Sequence, residues 1–275
     1  MQKIVFYVNQ DKQREVRLAK CMQTGLRQHG LLLDIVHAQE GYRYADLVCL
    51  IGIKSMDLLD RHVAAGQRVL YFDKGYKRTR KAWRIAFDGL NATDQLDIGR
   101  RSSERADMFG WSFNGWRNIG SSIMIAGSSA KFQNAKSLAD PTAYAEWLRD
   151  EIRMRTSRKI WYRPKPSWGD AVAISGTDWS KHKRIEEVLD DLYCLITYGS
   201  GACLDALFAG IPSIVLGDGI TKTVSSTDLD DIGNLKCPSS KVIQDFINRL
   251  AWFQWTFDEI SHGDLWEFAK CKLKS

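Results

Sequence analysis

No apolar run in this chain approaches the ~20 residues that a bilayer-spanning helix needs. The start, Met1-Gln2-Lys3 followed by Ile4–Val8, is too short and too soon polar for a secretory leader and reads instead as a first strand. The expectation is a cytoplasmic protein. The six cysteines (Cys21, Cys49, Cys194, Cys203, Cys237 and Cys271) contain no CxxC pair and sit mostly in apolar stretches, as buried free thiols do in a reducing compartment. The five histidines form no HxxxH or HExxH pair, which argues against a zinc site. No DxD pair lies beside an apolar strand, so no metal is expected. Prolines are few, at five in 275 residues, and there is neither an internal repeat nor a low-complexity linker.

What is present is a basic excess, unevenly spread. The net charge is +6, and Lys74–Arg84 packs six basic residues, no acid and the aromatics Tyr76 and Trp83 into eleven positions. Arg153–Lys165 is again basic and carries Trp161 and Tyr162. Solvated faces account for most charge runs, but aromatic interleaving also fits an acidic or polymeric ligand. The ten tryptophans point the same way.

Strand and helix signals alternate. Strands are expected at 3–8, 31–36, 47–51 and 68–72, with helices at 11–29 and 54–65, a pattern that implies a mainly parallel sheet covered on both faces. Periodicity weakens from Lys74 to Asn118, and a long stretch of that kind is usually functional. A strand at 122–126 and a helix at 141–154 follow. A second alternation then runs through strands at 159–163, 194–197 and 213–216 and helices at 185–192, 202–209 and 241–252, to an amphipathic tail at 255–272. The expected fold class is α/β with two Rossmann-like domains facing a cleft. The first domain is expected at 1–157, and the second at 158–275.

The most informative segment lies between a buried strand and a helix, at Tyr198-Gly199-Ser200-Gly201-Ala202-Cys203-Leu204-Asp205. Glycine allows close backbone approach to a ligand, and a helix start offers unpaired N–H groups with a partial positive charge. Together these suit a diphosphate, with Ser200 adding a hydroxyl. A dinucleotide GxGxxG fails because Leu204 stands at its last glycine position, and no GK[ST] completes a P-loop. A plain structural turn remains open at this point.

Gly199-Ser200, Asp205-Ala206 and Gly210-Ile211-Pro212 resemble the second-domain signature of GT-B glycosyltransferases. The likeness is to the branch of bacteriophage-type and capsule-type transferases. Tyr162-Arg163-Pro164-Lys165-Pro166 is similar to the Arg-Pro-His-Pro element of that branch, with Lys165 in place of histidine. Gln254-Trp255-Thr256, Asp258-Glu259-Ile260, Gly263 and Trp266 resemble its closing segment, which implies a C-terminal helix that crosses back to the first domain. The likeness spans about residues 158–268 and is thin before that.

The resemblance implies an enzyme that transfers a hexosyl or pentosyl group from a nucleotide-sugar, expected to be a UDP-sugar, with no tightly bound cofactor. Ser200, Gly201 and Ala202, beside Gly199, would contact the diphosphate, and Asp205 would bind ribose hydroxyls. Arg163 and Lys165, at a strand's carboxyl end, are placed to neutralise the leaving phosphate. Ser128, after the strand at 122–126, is a further donor candidate. The base should come from the first domain, with Asp73 the leading candidate and Asp88 the second.

Three acceptor readings stay open. One is DNA, double-stranded and carrying hydroxymethylated pyrimidines, in host cytoplasm if the chain is viral. Lys74, Lys77, Arg78, Arg80, Lys81 and Arg84 would hold phosphates beside Asp73, and Trp83, Trp111 and Trp116 would wedge or stack. The second is a cell-surface polysaccharide or lipid-linked sugar. The third is a non-catalytic protein that binds nucleotide-sugar or nucleic acid.

Overall fold

A computed structural model describes residues 3–52, 55–76, 81–117, 120–128, 132–133, 138, 140–180 and 184–273. Ile4–Val8 (β1) is buried at every position, as a strand covered on both faces must be. It is followed by Gln13–Arg27 (α1), Leu33–His37 (β2), Leu47–Ile51 (β3), Met56–Ala64 (α2) and Arg68–Lys74 (β4). Strands β2, β1, β3 and β4 lie side by side in that order and are parallel. Ala82–Phe87 (β5) then turns back antiparallel to β4. The basic residues before it hide this strand in the sequence, so the first sheet is mixed at one edge instead of parallel throughout.

Glu104–Met108 (α3) precedes Ser122–Ala126 (β6), Pro141–Arg155 (α4), Ile160–Arg163 (β7), Asp178–Trp179 (β8), Leu192–Thr197 (β9), Ala202–Phe208 (α5), Ser213–Val215 (β10) and Ser240–Ala251 (α6). Asp140 caps α4 by accepting the Thr142 and Ala143 N–H groups, with Pro141 in the first turn where no donor is lost. The second sheet has the order β10-β9-β6-β7-β8, and its strand pairs among the described residues are parallel. Ile123, Ile125, Leu148, Ile152, Tyr162, Ile196 and Ile214 form its core. The helix expected at 185–192 is one 3-10 turn, Ile185–Glu187, and Leu192 already belongs to β9. Eight residues are too few to hold a helix by propensity when the sheet claims the last of them.

Gln254–Thr256 (β11) leaves this body and pairs antiparallel with β5, setting Trp255 opposite Trp83. Phe257–Ser261 (α7) opens with a capping box in which Thr256 and Glu259 bond each other's backbone N–H, and Asp264–Leu273 (α8) follows. The chain therefore divides into one unit of Met1–Gln95 with Trp252–Ser275 and another of Leu96–Ala251. The returning tail is as expected, but the domain boundary is not at 157/158. β6 was counted with the first domain, yet it is the middle strand of the second sheet, between β9 and β7. Alternation along the chain shows that strands are parallel but not which sheet they join.

Two details anchor the first unit. Gly25 of α1 sits so close to the tail that a β-carbon there would stand 2.1 Å from the Ile260 carbonyl oxygen. His62 is fully buried, with Nδ1 against Gln67 Oε1 and its ring stacked on Tyr42 at 4.6 Å. Burial, aided by nearby Arg61 and opposed by the Gln67 bond, holds its pKa below the ordinary value. No helix among the described residues is long and apolar enough to cross a membrane.

Gly25→Ala gains helix propensity but must push the tail away, and a net loss of about 2 kcal/mol is expected in urea unfolding. For His62 the folded pKa lies below the unfolded value of about 6.5, so the unfolded chain binds the proton more readily. Stability contributed by the neutral ring is complete above that pH and falls as the pH drops through it. Thermal melts from pH 7.5 to 5.5 (a window set by about that value) should show a shallower acid decline for His62→Gln than for the wild type.

Candidate functional site

In the second sheet the chain starts at β6, moves to β7 and β8 on one side, and then comes back to β9 and β10 on the other. Connections leave in opposite directions from that point, and the crevice outside the carboxyl ends of such strands is where open α/β sheets take ligands. The loops at that edge fit closely. A β-carbon on Gly127, after β6, would lie 3.3 Å from the Pro164 Cα, after β7. One on Gly217, after β10, would lie 2.4 Å from the Tyr198 ring, after β9.

Most of the donor residues expected from sequence converge here. Thr197 Oγ1 donates to the Ala126 carbonyl at 2.8 Å and accepts the Ser200 N–H at 3.0 Å. This bond joins the β6 end, with Gly127 and Ser128, to the loop Gly199-Ser200-Gly201. Gly199 lies against the Phe132 ring, with 3.0 Å left for a β-carbon. Ser200 Oγ accepts the Ala202 N–H at 3.4 Å, Gly201 is exposed at the N-cap, and Ala202 opens α5. Asp205 is half-buried on the first turn of that helix. Ser128 is buried, and its hydroxyl has no hydrogen-bond partner among the described residues. A buried hydroxyl without a partner is costly unless a ligand or water completes it.

The two basic candidates separate. Arg163 is buried and donates from Nη1 to the Ser180 carbonyl at 2.8 Å, so its guanidinium is committed to the β8 side. Its own carbonyl accepts the Gly127 N–H, keeping its backbone at the site. Lys165, two residues on, is exposed.

In the first unit, the two carboxylates proposed as bases lie at opposite ends of β4. Asp73, at the carboxyl end, pairs with Arg84 across the β4–β5 ladder at 2.8 Å and accepts the Lys74 N–H at 2.7 Å. Burial pulls the Arg84 pKa down, but Asp73, Tyr76 and Tyr71 together raise it above the ordinary value and the guanidinium stays charged. Asp88 follows β5 with φ 51°, accepts the Val69 N–H at 2.7 Å and the Arg68 Nε–H at 3.0 Å, and donates its own N–H to the Val69 carbonyl. It lies roughly 14 Å along the strand from Asp73, four residues at strand rise. Asp88 closes the ladder at that end of the sheet. A carboxylate missed by sequence reading, Glu15, stands in the first turn of α1 beyond β1, accepting the Asn9 N–H and pairing with Lys12. Its signal was only its position after the strand.

The aromatic members of the basic stretch are structural. Trp83 is buried under the Arg14 guanidinium at 4.0 Å and against the edge of Phe257. Tyr76 is also buried. Trp111 is buried between Phe109 and Phe208, and Trp116 donates its indole N–H to the Pro238 carbonyl at 2.7 Å. None of Trp83, Trp111 or Trp116 is a projecting wedge. Arg84 is half-buried in its ion pair, whereas Lys74 and Lys81 are exposed. Lys77, Arg78 and Arg80 lie outside the described residues.

No protein-family model matches the chain, and no curated protein matches its sequence. Solved structures do resemble it. The beta Kdo 2,4 transferase of Thermosulfurimonas dismutans KpsC superposes with a TM-score of 0.55 at 9% identity, covering 95% of this chain and 98% of that one. The beta Kdo 2,7 transferase of the same KpsC does so with a TM-score of 0.54 at 12% identity, covering 98% and 100%. At these identities the likeness is one of fold. The chain has the two-body α/β architecture of these transferases, of GT-B type, with its C-terminal segment returning to the first body.

Asp88→Ala removes both side-chain acceptors and leaves a β-carbon at positive φ. A loss of about 2 kcal/mol is expected in denaturant unfolding.

Proposed function

We propose that this chain is a glycosyltransferase that takes its sugar from a nucleotide-sugar held at the carboxyl ends of β6 and β9. The observation that carries the reading is the convergence of three glycine-containing loops at the point where the strand order reverses, beside the unpartnered hydroxyl of Ser128. Ser128 and the Gly199–Ala202 backbone contact the phosphate, Asp205 accepts from the ribose hydroxyls, and Lys165 neutralises charge as the phosphate leaves. The acceptor hydroxyl attacks the anomeric carbon, the bond from that carbon to the phosphate oxygen breaks, and Asp73 receives the proton.

The acceptor in this proposal is a carbohydrate hydroxyl. The similar structures are beta Kdo transferases. The features that favoured DNA are weakened, because Trp83 and Trp111 are buried and Arg84 is already neutralised.

A panel of nucleoside mono- and diphosphates should include one that raises the melting temperature by several degrees, since a ligand that binds only the native state stabilises it. Ser128→Ala should weaken that ligand by about tenfold, the value of one buried hydrogen bond to a charged group. Nucleotide-sugars offered with oligosaccharide or with hydroxymethylated DNA should label the oligosaccharide. Label on DNA alone overturns the acceptor, and nucleotide binding without transfer to either overturns the enzyme. Asp73→Asn should abolish turnover while Glu15→Gln retains it, and the reverse result moves the base to Glu15.

A further inference from the structure

Thr197 is almost completely buried at the end of β9 and is tied to three strand ends at once. Its hydroxyl hydrogen goes to the Ala126 carbonyl at the end of β6, and its oxygen takes the Ser200 N–H. Its own carbonyl accepts the Leu216 N–H just beyond β10, at 2.9 Å. A hydroxyl is the only small side-chain group that donates and accepts from one atom. Valine has the same shape but does neither, while serine does both.

We propose that Thr197 is the positioning residue of the donor loop, holding Ser200 back so that Gly199, Ser200 and Gly201 present their backbone beside Ser128. This rests on the donor reading given above. Two further bonds of Ser200 are local: its carbonyl accepts the Cys203 N–H at 3.2 Å and its hydroxyl oxygen the Ala202 N–H at 3.4 Å. Gly201 is exposed and has nothing within 4 Å of a β-carbon position, and Ser200 is only half-buried. Tyr198 is seated on Gly217 and Gly199 on Phe132, while the Thr197 hydroxyl ties Ser200 to the end of β6. Removing that hydroxyl strands two backbone groups, the buried Ala126 carbonyl and the Ser200 N–H. The Ser200 group escapes its penalty by turning to water, and the loop moves with it.

Thr197 touches no ligand in this scheme, so its test needs a readout beyond activity. Amide exchange at Ser200 should be protected in the wild type, rise by about tenfold or more in Thr197→Val, and return in Thr197→Ser. Affinity for the nucleotide found in the thermal panel should follow the same order, with about a tenfold loss for valine and recovery for serine. Ile125→Val, a core change on β6, serves as a control that lowers stability without loosening the loop, and its affinity should stay at the wild-type level. Unchanged Ser200 exchange in Thr197→Val overturns the clamp. Raised exchange with unchanged affinity overturns the positioning role. If the wild type binds no nucleotide, the donor reading falls and the positioning role with it, while the exchange result still reports on the clamp.

Discussion

A parallel strand satisfies its N–H and C=O groups only with a neighbour on each edge, and β6 has β7 on one side and β9 on the other. That arrangement governs what lies at the carboxyl edge of the second sheet. Parallel pairing brings the loops after β6, β7 and β9 out at the same end. The Ala126–Thr197 bond then joins two of them, and the Gly127–Arg163 bond joins the third. Substituting bulk into this edge would separate the loops, and for that reason glycine stands at 127, 199 and 217.

The first unit is held by a different device. Its parallel strands end in an antiparallel pair, β5 and β11, of which β11 comes from the far end of the chain. The aromatic content is concentrated in that seam. Trp83, Phe87, Phe253, Trp255, Phe257 and Phe268 pack as edge-to-face and tilted pairs around it. Large rings contribute much buried area at small entropic cost, which suits a tail docked without a long strand. Gly25 lets α1 approach the returning chain at backbone distance.

This use of aromatics and arginine explains why the basic stretch read differently in sequence and in structure. Composition registers Trp83 and Arg84 as a ring and a charge next to other charges. It does not register that Arg14 covers the ring or that Asp73 lies across the ladder from Arg84. Asp88 carries the same lesson: in sequence it is a strand-end aspartate like Asp73, and only pairing register sends the two to opposite ends of β4. Arg163 looks like a cation at a strand end, but its side chain serves the Ser180 carbonyl.

The sequence by itself determined the α/β class, the positions of most strands and helices and the loop between β9 and α5. These depend on local pattern: runs of β-branched residues, helical spacing, and glycine followed by a helix start. Tertiary structure alone decided that β6 belongs to the second sheet, that β5 exists as an antiparallel edge, that Asp73 and Asp88 stand at opposite ends of β4, and that Thr197 fastens the loop. Each of these is a pairing between residues far apart in the chain. The hydrogen-bonding capacity of a threonine or aspartate is the same everywhere in a sequence, and the fold alone supplies its partner.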